Sequence, residues 1–131
     1  MNKVYQKRRD VLGNLLPNDC AIIIPGADLK YRNSDSSYNF RQDSNFFYLS
    51  GFCEADSTLL IVNRNGVIES SAFVPKKDKL KEIWDGFREG PEGAISNYLF
   101  DKAFNNNEID TLMPDLIHGV DKVFYPFGKK D

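Results

Sequence analysis

The chain has 131 residues, enough for one domain with one core and too few for two full domains at roughly 150 residues each. Hydrophobic residues make up 41% of it, with nine glycines besides, a composition that excludes a disordered chain. With 17 basic and 19 acidic residues, a net charge of −2 and the two signs interspersed, no surface for nucleic acid or anionic lipid stands out.

Near the start, Tyr5, Leu12, Leu15 and Leu16 fall close to helical spacing and predict a surface helix over 4–16, interrupted by Gly13 and closed by Pro17. After a turn at 17–19, the β-branched run 20–24 reads as a strand buried on both faces, ended by Pro25 and Gly26. Residues 27–39 lack periodicity and read as an irregular surface connection. The stretch 38–52 holds six of the chain's 17 aromatic residues, Tyr38, Phe40, Phe46, Phe47, Tyr48 and Phe52; this density assigns them to core and interface packing. Asp43 or Ser44 is placed to cap a short helix running to Leu49, with Gly51 left-handed behind it.

A strand over 57–63 follows. Asn65-Gly66 is the favoured type I′ pair, so 67–74 returns antiparallel as a hairpin. The charged run 76–82 predicts a solvated helix ending near Ile83 and Trp84, and 85–91 a glycine-punctuated loop. Ile109, Leu112, Met113, Leu116 and Ile117 mark an amphipathic helix, capped by an Asn among 105–107, disturbed by Pro114 and ended by Gly119. A last strand is expected over 122–125. Helices alternating with strands, plus one hairpin, give an α/β fold with a mixed sheet flanked by helices.

Little chemistry is legible in the residue types. No apolar run approaches the roughly 18 residues of a membrane span, and the polar N-terminus has no signal-like stretch. Cys20 and Cys53 read as reduced, semi-buried thiols of a cytoplasmic protein. One His and no paired-Cys motif exclude a zinc site of His and Cys, and His118 reads as a helix-end residue. No nucleophile elbow, P-loop or dinucleotide fingerprint occurs, and Asp35, Asp43, Asp56 and Asp85 read as turn or capping residues. By residue chemistry the chain is a binding or accessory domain.

The run YRNSDSSYNFRQDSNFFYLSGF at 31–52 resembles the N-terminal domain signature of the aminopeptidase P family, the Xaa-Pro aminopeptidases. Its pattern reads roughly R-x-x-D-x-x-Y-x-[FY]-R-Q-[DN]-S-[DN]-F-x-Y-[LF]-[ST]-G-F. Glu82, Trp84, Gly86, Arg88 and Gly90 are similar to the family's E-x-W-x-G-x-R-x-G segment, and a strand and turn over 123–128 also fit. The resemblance implies a ribonuclease-H-like domain that builds a homo-oligomer and lends residues to the rim of a neighbouring subunit's active site. It further implies that catalysis lies in a following pita-bread domain, where two Asp, one His and two Glu hold two metal ions, usually manganese. None of those ligands maps onto this chain, so no catalytic or metal residue is assigned and the 131 residues alone are expected to be inactive. By the same resemblance the chain stops short of the domain's last helix and strand.

The resemblance points to Trp84, Asp35 and Arg88 as substrate-rim residues for Xaa-Pro peptides. Trp84 offers a flat apolar face to a proline ring, the alternative being a core anchor. Asp35 resembles an acidic residue near the substrate's ammonium group, the alternative being a loop cap. Arg88 and Arg41 would either orient peptide carbonyl or carboxylate groups or hold their own loops. Two rival functions stand beside this one, a non-catalytic peptide- or protein-binding module of the same fold and a prolidase or creatinase, against which the density of the signature argues.

Overall fold

The structure is a computed structural model that describes residues 2–28 and 41–125. It is a single five-stranded sheet with helices on both faces. In chain order the elements are α1 (Lys3–Leu15), β1 (Cys20–Pro25), α2 (Ser44–Ser50), β2 (Thr58–Arg64), β3 (Val67–Val74), α3 (Lys79–Asp85), α4 (Gly90–Tyr98), β4 (Lys102–Asn105), a 3₁₀ turn (Asn106–Glu108), α5 (Ile109–Leu116) and β5 (Lys122–Phe124). The strands lie in the order β4-β3-β2-β1-β5. The β1–β2 and β2–β3 pairs are antiparallel, and the two outer pairs, β3–β4 and β1–β5, are parallel.

The hairpin forms as its turn residues dictate. Asn65 and Gly66 both have positive φ, 51° and 91°, and Arg64 pairs with Val67 across them. Asn63 fastens this turn to α1: its Oδ1 accepts from the Gly66 N–H at 2.8 Å, while its Nδ2 donates to the Gly13 and Leu16 carbonyls at 3.1 Å each. Both carbonyls lie at the C-terminal end of α1, and that of Gly13 also accepts from the Leu16 N–H at 3.2 Å. Gly13 is needed because α1 lies against the sheet there, and a methyl group at that position would overlap Ile68.

Successive side chains of the central strands point to opposite faces and build two cores. Ile24, Leu59, Ile61, Ala72 and Val74 pack with Phe46, Leu49, Phe52, Ala94 and Phe100, beneath α1, α2 and α4. On the other face Ala21, Ile23, Leu60 and Val62 meet Met113 and Leu116 of α5 and Ile117 just after it. Arg64 closes α5 by donating to the Leu116 and His118 carbonyls at 2.8 and 2.7 Å, and Pro114 is accommodated inside that helix.

Two expectations need correction, and one stretch without an expected element takes a defined structure. The segment 92–104 carries no strong pattern in sequence, yet it forms α4 and the edge strand β4, because Phe100 and Ala94 bury against the sheet while their neighbours stay outside. Burial of the aromatic stretch is uneven: Phe46 and Phe52 are enclosed, whereas Phe47 and Tyr48 are exposed, since a single turn of helix can present only one side to the core. Tyr38 and Phe40 lie outside the described residues. Cys20 is buried but Cys53 is exposed.

The buried Arg9 guanidinium joins three helices. It donates to the Leu49 carbonyl at 3.0 Å and to the Tyr98 and Leu99 carbonyls at 2.8 and 3.1 Å, and it lies 4.0 Å from the Phe100 ring centroid. Arg9→Met keeps much of the volume but strips three buried acceptors of their donor, and is expected to cost about 3 kcal/mol. A urea unfolding midpoint equal to that of the parent chain would show that the guanidinium carries no such role.

Candidate functional site

The segment that carries Trp84 and Arg88 is held by polar contacts. Asp78 caps α3 with its Oδ1, which accepts from the Leu80 and Lys81 N–H groups at 3.0 and 3.4 Å, and Gly86, at φ 94°, ends the helix. Lys77 Nζ reaches both carboxylate oxygens of Glu82 at 3.2 Å and the Arg88 carbonyl at 2.8 Å. It also lies 4.4 Å from the Phe87 ring centroid. Glu82 Oε1 in turn accepts from the Arg88 N–H at 3.2 Å. The chain is thereby folded back on itself from 77 to 88. Gly90, at φ 71°, lets the corner pass over Lys77, whose Cβ would stand 2.8 Å from a Cβ placed there.

Tied down in this way, α3 buries little of its apolar surface. Leu80, Ile83, Trp84 and Phe87 are all exposed, Trp84 at 85%. Trp84 is thus no core anchor of this domain. Arg88 is half-buried, and its Nη1 donates to the Phe87 carbonyl at 3.2 Å, so it braces its own loop. Beside α3 lies a polar hollow of about 420 Å³, lined by Arg88, Glu82, Lys76, Lys81 and Asn106 among others. A larger groove of about 680 Å³ is framed by other elements, with Val4, Val11 and Leu15 of α1 and Tyr48 of α2 along it.

Behind the corner, Gln42 organises the loop that follows α2. Its Oε1 accepts from the Ala27 and Asp43 N–H groups at 2.8 and 3.0 Å, and its Nε2 donates to the Phe52 and Glu54 carbonyls at 3.1 Å each. Asp43 caps α2 through the Phe46 N–H at 3.0 Å, and Gly51 at φ 69° closes the helix. One amide thus fixes the position of Glu54, whose Oε2 accepts from the Glu89 N–H at 2.9 Å. The other oxygen of Glu54 is buried with no hydrogen-bond donor. Burial pushes the Glu54 carboxyl above its ordinary value, opposed by the Glu89 N–H and by Arg88 and Lys77.

The pattern of the aminopeptidase P N-terminal domain matches residues 5–125. The chain belongs to the aminopeptidase P family. It is 31% identical over 120 residues to the Xaa-Pro aminopeptidase of Haemophilus influenzae, covering 92% of this chain and 28% of that protein. With mouse Xaa-Pro aminopeptidase 3 the identity is 35% over 115 residues, 85% of this chain and 23% of that protein. Among solved structures, Escherichia coli aminopeptidase P with the inhibitor Pro-Leu superposes with a TM-score of 0.92 at 30% identity, over 99% of this chain and 30% of that one. Pseudomonas aeruginosa aminopeptidase PepP gives a TM-score of 0.92 at 35% identity, over 99% and 29%. The chain therefore spans between about a quarter and a third of the length of these relatives.

Within this aminopeptidase P domain, Trp84 and Arg88 lie on one corner, whereas Asp35 lies outside the described residues and Arg41 is exposed at their edge. Among the described residues no group of three or more His, Cys, Asp and Glu side chains is placed to hold a metal ion. They offer no ligand set for the two ions that the family resemblance implies. No helix among the described residues is long and apolar enough to cross a membrane. Gln42, Glu54 and Lys77 have no role legible in residue type alone, although Gln42 and Glu54 stand in or beside the aromatic signature. Its regularity was the available signal.

The raised Glu54 value fixes the sign of a pH effect. The folded chain holds this proton more tightly than the unfolded chain, so stability falls as pH rises from the ordinary carboxyl value of 4.5 through the raised one. Glu54→Gln lacks that slope, and its stability relative to the parent should increase from pH 4 to pH 7. Parallel urea-unfolding curves at the two pH values would exclude the effect.

Proposed function

We propose that this chain is the N-terminal, oligomer-forming and substrate-gating domain of a cytoplasmic, manganese-dependent Xaa-Pro aminopeptidase, the enzyme that releases an N-terminal residue preceding proline. The observation that carries the reading is the α3 corner. Four large apolar side chains, Leu80, Ile83, Trp84 and Phe87, are exposed within eight consecutive positions, which is what a covered interface or a peptide-contacting rim requires and an isolated surface does not. They are presented by a segment held through Asp78, Lys77 and Glu82, so the patch is preorganised.

In this reading Trp84 offers its ring face to proline and its indole N–H to a peptide carbonyl, while Arg88 orients carbonyl or carboxylate groups of the peptide. Asp35 would pair with the substrate's ammonium group. The partners are Xaa-Pro peptides and further copies of the same subunit, with no part for nucleic acid or membrane. The two manganese ions belong to the catalytic region outside these residues, where they would generate the hydroxide and polarise the carbonyl. This chain alone is inactive.

Two measurements test the proposal. The purified chain, assayed on Xaa-Pro dipeptides and tripeptides with and without Mn²⁺, should give no turnover, and its mass in solution should be that of a defined oligomer. Metal-dependent turnover that survives contaminant controls would place a catalytic site within the chain and overturn the reading. In a peptidase carrying this chain as its N-terminal domain, Trp84→Ala should lower kcat/KM on long Xaa-Pro peptides about tenfold, the effect of losing one good apolar contact, with metal content unchanged. Unaltered kinetics there would leave a non-catalytic protein-binding role for the patch.

A further inference from the structure

We propose that Glu54 is the positioning residue of the α3–α4 corner, holding Arg88 and Trp84 in place through the backbone N–H of Glu89. Three observations meet at this carboxyl. It is anchored from behind by Gln42, which binds the Glu54 and Phe52 carbonyls. Its Oε2 receives the Glu89 N–H at 2.9 Å. Glu89 is the residue before Gly90, where α4 begins, so the contact sits where the helix's free N–H groups favour negative charge.

The corner has further ties, from Lys77 Nζ to the Arg88 carbonyl and from the Arg88 N–H to Glu82 Oε1. Residues 88 and 89 are therefore fixed by side chains from two different parts of the sequence. The Lys77 and Glu82 ties belong to the same local segment as α3. Glu54 ties the corner to the loop after α2, beside the Asn97 Nδ2 contact to Glu89 Oε1 at 2.9 Å from within α4, and without it the 77–88 fold-back loses its hold on that loop.

The groups facing Glu54 decide its charge. Arg88 and Lys77 favour the carboxylate, Glu89 opposes it, and Tyr98 and Cys53 lie close by. Burial outweighs the favourable charges and raises its proton affinity, which makes the link responsive to pH. The buried carboxyl holds its proton more tightly than one released to solvent, so acidification favours the closed corner and rising pH loosens it. The consequence for peptide gating rests on the function proposed above, whereas the positioning itself does not.

The test uses amide NMR of the chain across pH 4–8. The Glu89 amide proton should shift with a midpoint above that of an ordinary carboxyl, and this shift should vanish in Glu54→Gln. Its hydrogen exchange should accelerate about tenfold or more in Glu54→Ala and be largely restored in Glu54→Gln, which retains an acceptor of the same length. A Glu89 amide that does not titrate, or that exchanges equally fast in the parent and in a folded Glu54→Ala chain, overturns the proposal. If Glu54→Ala fails to fold, the parent and Glu54→Gln titrations decide it alone. In the peptidase, Glu54→Ala should raise KM for long peptides in the same direction as Trp84→Ala, with rescue by Glu54→Gln. Should Trp84→Ala be silent while the Glu89 amide behaves as expected, the gating reading fails and the positioning stands.

Discussion

The Arg9 guanidinium sits inside the protein, and its desolvation has to be offset by what it touches. Burial lowers its pKa from the ordinary guanidinium value to about 10, with Asp10 and Asp101 acting in the opposite direction, so it stays charged at neutral pH. The compensation comes chiefly from the carbonyl ends of two helices, Leu49 of α2 and Tyr98 and Leu99 at the end of α4. Helix C-termini carry partial negative charge on their free carbonyls, and a planar fork of donors suits two of them at once. The Phe100 ring lies against the same group. A single side chain on α1 thus binds the ends of α2 and α4 and joins all three over one face of the sheet.

That packing leaves α3 on its own. The face beneath α1, α2 and α4 is filled by the strands and by Phe46, Phe52 and Phe100, and the opposite face is covered by α5 with Met113, Leu116 and Ile117. Polar contacts hold α3 instead: Asp78 at its start and the Lys77–Glu82–Arg88 contacts along it. Exposed ion pairs of this kind contribute little to global stability. Their effect is local, fixing the direction in which Leu80, Ile83, Trp84 and Phe87 point while the core takes no part.

Much of the architecture was legible from local chemistry. The Asn65-Gly66 turn, the Asp43 cap, the left-handed Gly51 and the amphipathic period of α5 all appear where the residues place them, because each depends on neighbours within a few positions. The region 92–104 was not legible. Neither the short α4 nor the four-residue β4 has a pronounced period, and each takes its conformation from the contact of Ala94, Phe100 and Ala103 with the sheet. Phe46 and Phe47, adjacent in sequence and alike in chemistry, end on opposite sides of one turn of helix, which an aromatic count cannot distinguish.

By itself the sequence determined the family and the α/β class, since a long signature of Arg, Gln, Asp, aromatic and Gly residues in fixed order demands the same turns and caps wherever it occurs. It also determined the central hairpin and the lack of a His and Cys metal motif. Only the tertiary structure decided that Trp84 faces solvent and not the core, that Gln42 ties four backbone groups together, and that Glu54 meets Glu89 from 35 positions away. The reason is physical: caps and turns are settled by bonds within one or two turns of chain, whereas burial, proton affinity and exposure depend on which distant segments arrive beside a residue.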